Sequence, residues 1–317
     1  MPLHNFRNMS ADQPRILTFD NLSDLLVRIG LPAPQHPLVA LVDYNKSQLN
    51  LQDAGSKILL NFYKIAYKQI FEGSVRYGAG QYDFRAGGLA FLAPHQIVEM
   101  PGDPLQYEGF VLYFHPDLLR GYPLATGILR YGFFSYASSE ALFLSEKEKQ
   151  VISRLFATIE DELEGGIDAF SQDVLVSQIE LLLQHSNRFY NRQFLTRKPA
   201  NNELIDQMQA YLLHRFNDQT GLVAGLPSPP ELADHLKVSP RYLSDMLKSL
   251  TGITTQQHIH LHLVEKAKEL LATKKLSTAE IAYRLGFEHP QSFNKLFKQK
   301  TNLTPALFRR AIFSSDN

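Results

Sequence analysis

The chain has 317 residues, with 32 Lys plus Arg against 32 Asp plus Glu, so its formal net charge is zero. That length is about twice a typical single domain, so two cores are expected, and the neutral average excludes a binder driven by global positive charge. Cysteine is absent, which excludes disulfides, thiolate zinc sites and cysteine nucleophiles. No run approaches the roughly 18 uncharged apolar residues of a membrane helix, and no continuous apolar stretch opens the chain, so a cytoplasmic protein without a leader or a membrane partner is expected.

From about Pro37 to Phe114 short β-type runs follow one another: PLVALVD, KILLNFYKIAYKQIF, SVRY, QYDF, GGLAFLAP, QIVEM and EGFVLYF. Gly78-Ala79-Gly80, between two alternating runs, reads as a hairpin turn, and Gly87-Gly88 and Pro101-Gly102-Asp103-Pro104 mark further reversals. So many short strands predict a sandwich or small barrel within residues 1–143. The pattern changes at Ser145, which with Glu148 forms a capping box before Val151, Ile152, Leu155, Phe156, Ile159 and Leu163 at helical spacing, up to Gly165-Gly166. Val174, Leu175, Ile179, Leu182, Leu183 and Phe189 form a second stripe. These two helices, residues 144–195, are more apolar than covering a barrel end requires, which predicts a homodimer contact. Asn191 to Asn202 reads as a polar linker, and Glu203 to Phe216 as an amphipathic helix.

The last segment announces its helices by their caps: Ser228-Pro229-Pro230-Glu231, Ser239-Pro240, Thr254 with Gln257, Ser277-Thr278-Ala279-Glu280, and Thr304-Pro305. It also repeats. Glu231, Ala233 and Leu236 recur as Glu280, Ala282 and Leu285 at an offset of 49, and Thr251-Gly252-Ile253-Thr254 recurs as Thr301-Asn302-Leu303-Thr304 at an offset of 50. Each copy has a short helix with a small residue, a turn and a second helix carrying an apolar pair, Met246/Leu247 or Leu296/Phe297. A small residue lets two helices cross closely and steeply, as a helix-turn-helix requires, although a plain bundle of duplicated helix pairs shows the same periodicity. The helix between the copies, from Thr254 to about Ala272, spans roughly 28 Å, near the ~34 Å of one DNA turn, so two reading helices can reach successive major grooves. Charge agrees: residues 221–312 carry 13 basic and 7 acidic groups, leaving the remainder of the chain at minus 6.

With these residues in place, the segment 202–312 resembles the DNA-binding domain of the AraC/XylS family of bacterial transcription regulators. The resemblance rests on Lys266-Ala267, Leu270-Leu271, Ser277 with Glu280-Ile281-Ala282, Leu285-Gly286-Phe287, Ser292-Phe293, Phe297-Lys298, Thr304-Pro305 and Phe308-Arg309. It implies helix-turn-helix units at about 228–250 and 277–300, promoter or operator double-stranded DNA as partner, and a regulator that is either an activator in contact with RNA polymerase or a repressor. Leu263 departs from the family, which commonly has Arg there. In the first unit Ser239, Arg241, Tyr242, Ser244, Asp245 and Lys248 form the expected outer face. Arg241 suits guanine, Lys248 a phosphate, and Asp245 either cytosine or a pair with Arg241. In the second, Pro290, Gln291, Ser292, Asn294, Lys295 and Lys298 do so, with Gln291 and Asn294 suited to adenine. A merely solvated helix face is the competing reading for each. His258, His260 and His262 fall on the expected exposed side of the connecting helix without a third same-face ligand, so no metal is expected there.

The β-rich half resembles the cupin-like sensor domains that precede such DNA-binding domains, on Gly88-Leu89, Pro94-His95 and Phe114-His115-Pro116. The fold class implied is α+β multidomain: an N-terminal cupin-like β-barrel, a helical dimerisation segment and an all-α C-terminal domain. Ala93 stands where metal-binding cupins have their first histidine, leaving His95 and Glu99, so no metal, cofactor or catalytic residue is expected. A small-molecule effector is, with Tyr63, Tyr82 and His95 as pocket candidates among the aromatics Phe62, Tyr67, Tyr77, Phe84 and Tyr107. His95 reads either as a satisfied barrel histidine or as a pocket hydrogen-bonder. The alternative function is a cupin-type enzyme fused to a DNA-binding domain.

Overall fold

In the computed structural model the chain divides into two compact units, Met1–Tyr190 and Asn191–Asn317. The structure describes residues 16–46, 57–72, 74–77, 80–83, 87–99, 106–137, 140–217, 225–273 and 275–314.

The first unit is built on strands whose alternation supplies two buried faces. Strand β1 (Ile16–Phe19) pairs in parallel with β3 (Lys57–Leu60), which pairs antiparallel with β8 (Ile97–Glu99). Five further strands form an antiparallel sheet in the order β10 (Leu142–Phe143), β7 (Gly88–Leu92), β4 (Tyr63–Glu72), β9 (Gln106–Phe114), β2 (Val39–Asp43). Strands β5 (Ser74–Tyr77) and β6 (Gly80–Asp83) pair as the hairpin expected around residues 78–79, while Pro101-Gly102-Asp103-Pro104 lies outside the described residues. One sheet face, with Ala40, Val42, Val111 and Tyr113, joins Leu60, Phe62 and the short helix α1 (Leu22–Arg28) in a core. The other packs aromatics: Tyr63 stacks on Phe114 at 4.9 Å, and Tyr67 lies 5.5 Å from Phe156.

Two local expectations need correction. The run KILLNFYKIAYKQIF is two strands, because the chain changes sheets at Asn61-Phe62: Asn61 N–H donates to Phe19 O at 3.0 Å and Phe62 is fully buried in the core between. The segment read as a linker, Asn191 to Asn202, is helical, since α4 (Ser171–Thr196) and α5 (Lys198–Asn217) nearly abut. Phe194 and Gln193 are buried there, and Asn201 donates its side-chain amide to Phe194 O at 2.6 Å. Pro199 falls in the first turn of α5, where a missing N–H costs nothing.

A single helical turn, α2 (Leu124–Gly127), follows β9, and between β10 and α4, Ser145 and Glu148 make both capping-box bonds of α3 (Glu146–Glu164), which buries Ile152, Phe156, Ile159 and Leu163. Beyond α5 the second unit continues as α6 (Pro229–His235), α7 (Pro240–Thr251), α8 (Thr255–Ala272), α9 (Thr278–Arg284), α10 (Pro290–Thr301) and α11 (Pro305–Ser314).

Candidate nucleic-acid interface and sensor face

The two repeats fold alike because their local chemistry is alike. Ser228 with Glu231 and Ser277 with Glu280 make reciprocal capping boxes on α6 and α9. Ala233 and Ala282 are fully buried at the helix crossings. Each short helix ends through one left-handed residue, Lys237 at φ 57° and Gly286 at φ 94°. The same backbone bond closes both turns: Val238 N–H to Ala233 O and Phe287 N–H to Ala282 O, each 3.0 Å. Gly286 is further constrained, since a Cβ there would meet the Gly225 backbone at 2.5 Å. The second helices also end alike, with Gly252 and Asn302 left-handed and the Thr251 and Thr301 hydroxyls donating to Leu247 O and Phe297 O at 2.7 and 2.8 Å.

On α7, Leu243, Met246 and Leu247 face the core, Arg241 and Lys248 are exposed, and Ser244 and Asp245 are half-buried. Ser239 is the N-cap and accepts from Tyr242 N–H. Tyr242 requires correction: expected on the outer face, it is buried with its ring 5.3 Å from that of Phe194, because the end of α4 supplies an apolar neighbour beyond the repeat. Arg241 Nε lies 3.0 Å from Asp245 Oδ2, the pairing arm of the two readings for Asp245. On α10 the core side is Phe293 and Phe297, while Gln291, Ser292, Asn294, Lys295 and Lys298 are exposed and Pro290 half-buried. That face carries two lysines and no carboxylate. His289, the N-cap of α10, makes no side-chain capping bond.

The comparisons with known proteins follow this division. The AraC-like ligand binding domain family matches residues 62–179 and the helix-turn-helix domain family residues 232–311. The chain thus carries a segment similar to the AraC-like ligand binding domain and, after it, one similar to the helix-turn-helix domain. It is similar to the HTH-type transcriptional activator RhaS of Escherichia coli strain HS, 29% identical over 164 residues that span 51% of this chain and 54% of that protein. The chain thus spans about half the length of the curated relatives it matches. Among solved structures it is similar to the C-terminal domain of the two-component response regulator yesN from Fusobacterium nucleatum (32% identical, 33% of this chain, 95% of that one, TM-score 0.29). The C-terminal domain of AraT, a response regulator from Geobacillus stearothermophilus, is 29% identical, over 33% of this chain and 84% of that one, with TM-score 0.29.

The connecting helix α8 has 18 residues, and Leu263 on it is fully buried. The expected exposure of its histidines is corrected at His258, which is buried and bonded to Thr251 Oγ1 at 2.8 Å; burial first, then the neighbouring His262, hold its imidazole below the usual range. The cap of α7 therefore packs onto α8, a tertiary contact that helical periodicity does not reveal.

Of the effector candidates, Tyr63 and His95 have different settings. Tyr63 is buried in the aromatic layer, stacked on Phe114 and edge-on to Phe134. His95 corrects both of its readings: it is exposed on a turn at φ 66°, its N–H donating to Leu60 O at 2.8 Å, because the turn after β7 points the side chain to solvent. The backbone of Tyr82 is in β6, while its side chain, like those of Tyr77, Phe84 and Tyr107, lies outside what is described. A surface cleft of about 250 Å³, lined by Pro32, Pro34, His36, Glu160 and Glu164 among others, includes none of the three.

Two residues without a functional signal in the sequence stand on the core face of β4. Lys64 pairs across the ladder with Leu92 and Tyr113, and Lys68 with Gly88 and Gly109. Lys68 is 7% exposed. Burial brings the Lys64 ammonium down to about 8; burial and the Lys64 charge bring Lys68 to about 7. In sequence they look like the solvated face of an alternating strand, and nothing local distinguishes them.

Proposed function

We propose that this chain binds specific double-stranded DNA through its two helix-turn-helix units and that a small-molecule effector in the N-terminal unit modulates the binding. The proposed organisation is a sensor at residues 1–143, a helical dimerisation hairpin at 144–195 and the DNA reader at 202–312. The observation that carries it is the pair of near-identical helix-turn-helix units joined by α8, each with an uncovered outer face on its second helix.

The second unit supplies phosphate attraction through Lys295 and Lys298 and adenine-type contacts through Gln291 and Asn294, with Ser292, Pro290 and the uncapped first turn of α10 placed towards the backbone. In the first unit Arg241 must leave Asp245 to read guanine. An exposed i,i+4 pair is worth only about 0.3–0.5 kcal/mol, whereas a bidentate guanine contact contributes about 1–3 kcal/mol, so DNA wins Arg241 when the base is right. Lys248 contacts phosphate, and Ser239 and Ser244 line the same edge.

The activator role that the name of RhaS states is extended to this chain on the similarity between them, with RNA polymerase as the contacted partner, a homodimer as the active form and the cytoplasm as its place. No enzymatic step belongs to this reading. It is tested by selecting bound fragments from genomic DNA and titrating the recovered site. Arg241→Ala should flatten sequence preference, while Lys298→Ala should weaken all DNA similarly and reduce the salt slope by about one. Unchanged cognate binding in both variants would overturn the assigned helix faces, and an unchanged yield of transcript on adding the protein to a template bearing the site would overturn activation.

A further inference from the structure

The two helix-turn-helix units touch at a point away from α8. Gly286, the left-handed residue of the second turn, lies against the backbone that leads into the first unit: a Cβ on it would stand 2.5 Å from Gly225 O and 2.8 Å from Leu226 N. Only bare backbone approaches backbone so closely, so the place of one unit constrains the other. The Gly225 carbonyl is in turn held by a side chain. Arg215, on α5 and only 9% exposed, donates through Nη2 to Gly225 O and through Nε to Glu231 Oε1, each at 3.2 Å. Glu231 is itself fixed, since the Tyr211 hydroxyl donates to Oε1 and Ser228 N–H donates to Oε2. The guanidinium thus ties α5, the capping box of α6 and the carbonyl that meets Gly286 into one assembly. The second repeat has a similar arginine with a shorter reach. Arg309, on α11, donates to Leu276 O at 2.6 Å, just before the cap Ser277 of α9. That bond closes within the second unit, whereas the Arg215 bond ends on the carbonyl that meets the other unit.

We infer that Arg215 is a positioning residue for DNA recognition: by fixing Gly225 O against Gly286 it sets the separation and rotation between the reading helices α7 and α10, and hence the half-site spacing that the protein accepts. The inference rests on the two-reader function proposed above and adds what selects the spacing. Helix α8 supplies one connection between the units and the Gly225–Gly286 contact a second, and two separated attachments resist a rotation that one permits. Inserting one base pair between half-sites moves one groove by ~3.4 Å and turns it by ~35° relative to the other, a change that reading helices held at two points do not follow.

The test titrates the full chain, its folding checked by thermal melting, on four duplexes: the selected site, the same site with one base pair inserted or deleted between the half-sites, and a site with one half-site scrambled. The wild type is expected to lose about tenfold or more on insertion or deletion. In Arg215→Met that loss should shrink to about threefold or less, while affinity for the duplex with one half-site stays within about twofold of the wild type. Arg309→Met, which opens a clasp inside one unit, should keep the wild-type spacing ratio. Arg215→Lys, with the charge but without the fork, should fall between and serves if the methionine variant does not fold. The inference is overturned if folded Arg215 variants keep the wild-type ratio, if they weaken every duplex alike as a merely structural clasp would, if Arg309→Met flattens the ratio as much, or if the wild type tolerates the altered spacings. A wild type with no base preference at either half-site removes the two-reader function and this inference with it; strict spacing retained in the Arg215 variants removes the inference alone.

Discussion

Lys237 and Gly286 hold the same place in the two repeats, and their different chemistry makes a clean comparison. Both are left-handed, but only Gly286 also lies against a backbone, with Gly225 within 2.5 Å of a Cβ built there. Gly286→Ala is expected to cost ~3 kcal/mol through strain and displacement of that loop, whereas Lys237→Gly relieves a strained side-chain-bearing residue and should stabilise by ~0.5 kcal/mol. Denaturant melts of the two variants check both signs. Glu231 offers a second residue-scale test. Burial pushes its carboxyl up, but hydrogen bonds from Tyr211 and Arg215, the Arg215 charge and the Ser228 N–H outweigh burial and hold it below the ordinary 4.5. A carboxyl depressed on folding stabilises above its unfolded value and loses that contribution as pH falls through the folded one. The Tm gap between the protein and Glu231→Gln should therefore be full above about pH 5 and close on further acidification; a gap independent of pH would sink the assignment.

At the scale of elements, what distinguishes α4 is the apolar surface left uncovered on it. Val174 and Leu181, seven residues apart and so on one face, are 37% and 43% exposed, and Ile167 and Phe170 extend the patch into the turn before it. The dimer proposed for the 144–195 hairpin uses this stripe. Sedimentation of the full chain at micromolar concentration should show a dimer, and Leu181→Glu with Val174→Glu should give a folded monomer; a wild-type monomer would remove the proposal. The reading helices differ in a second way. The α7 face carries a carboxylate paired to its arginine while α10 carries none, so Asp245→Ala should raise affinity for all DNA with a smaller gain in preference, which titration on cognate and random duplexes will show.

For the whole molecule, the zero net charge resolves into plus 6 over residues 221–312 and minus 6 elsewhere, a separation that matches a DNA reader joined to an acidic partner unit. Much of the C-terminal unit is legible in the amino-acid sequence, because a cap, a first-turn proline or a left-handed turn residue acts within about four residues of itself. Ser145, Ser228, Thr254 and Ser277 all cap where their spacing predicts. The helix α1 escapes such reading although Asn21 accepts from Asp24 N–H at 2.9 Å, since it sits among strand signals. Sequence by itself therefore determined the helix boundaries of the reader, its internal repeat and the family resemblance. Only the tertiary structure decided that Tyr242 and His258 are buried, that residues 191–202 continue in helix, that β3 and β4 belong to different sheets, and that Lys64 and Lys68 face a core. Each of these depends on what a distant segment places opposite the residue, and burial by a non-local partner leaves no mark on local periodicity.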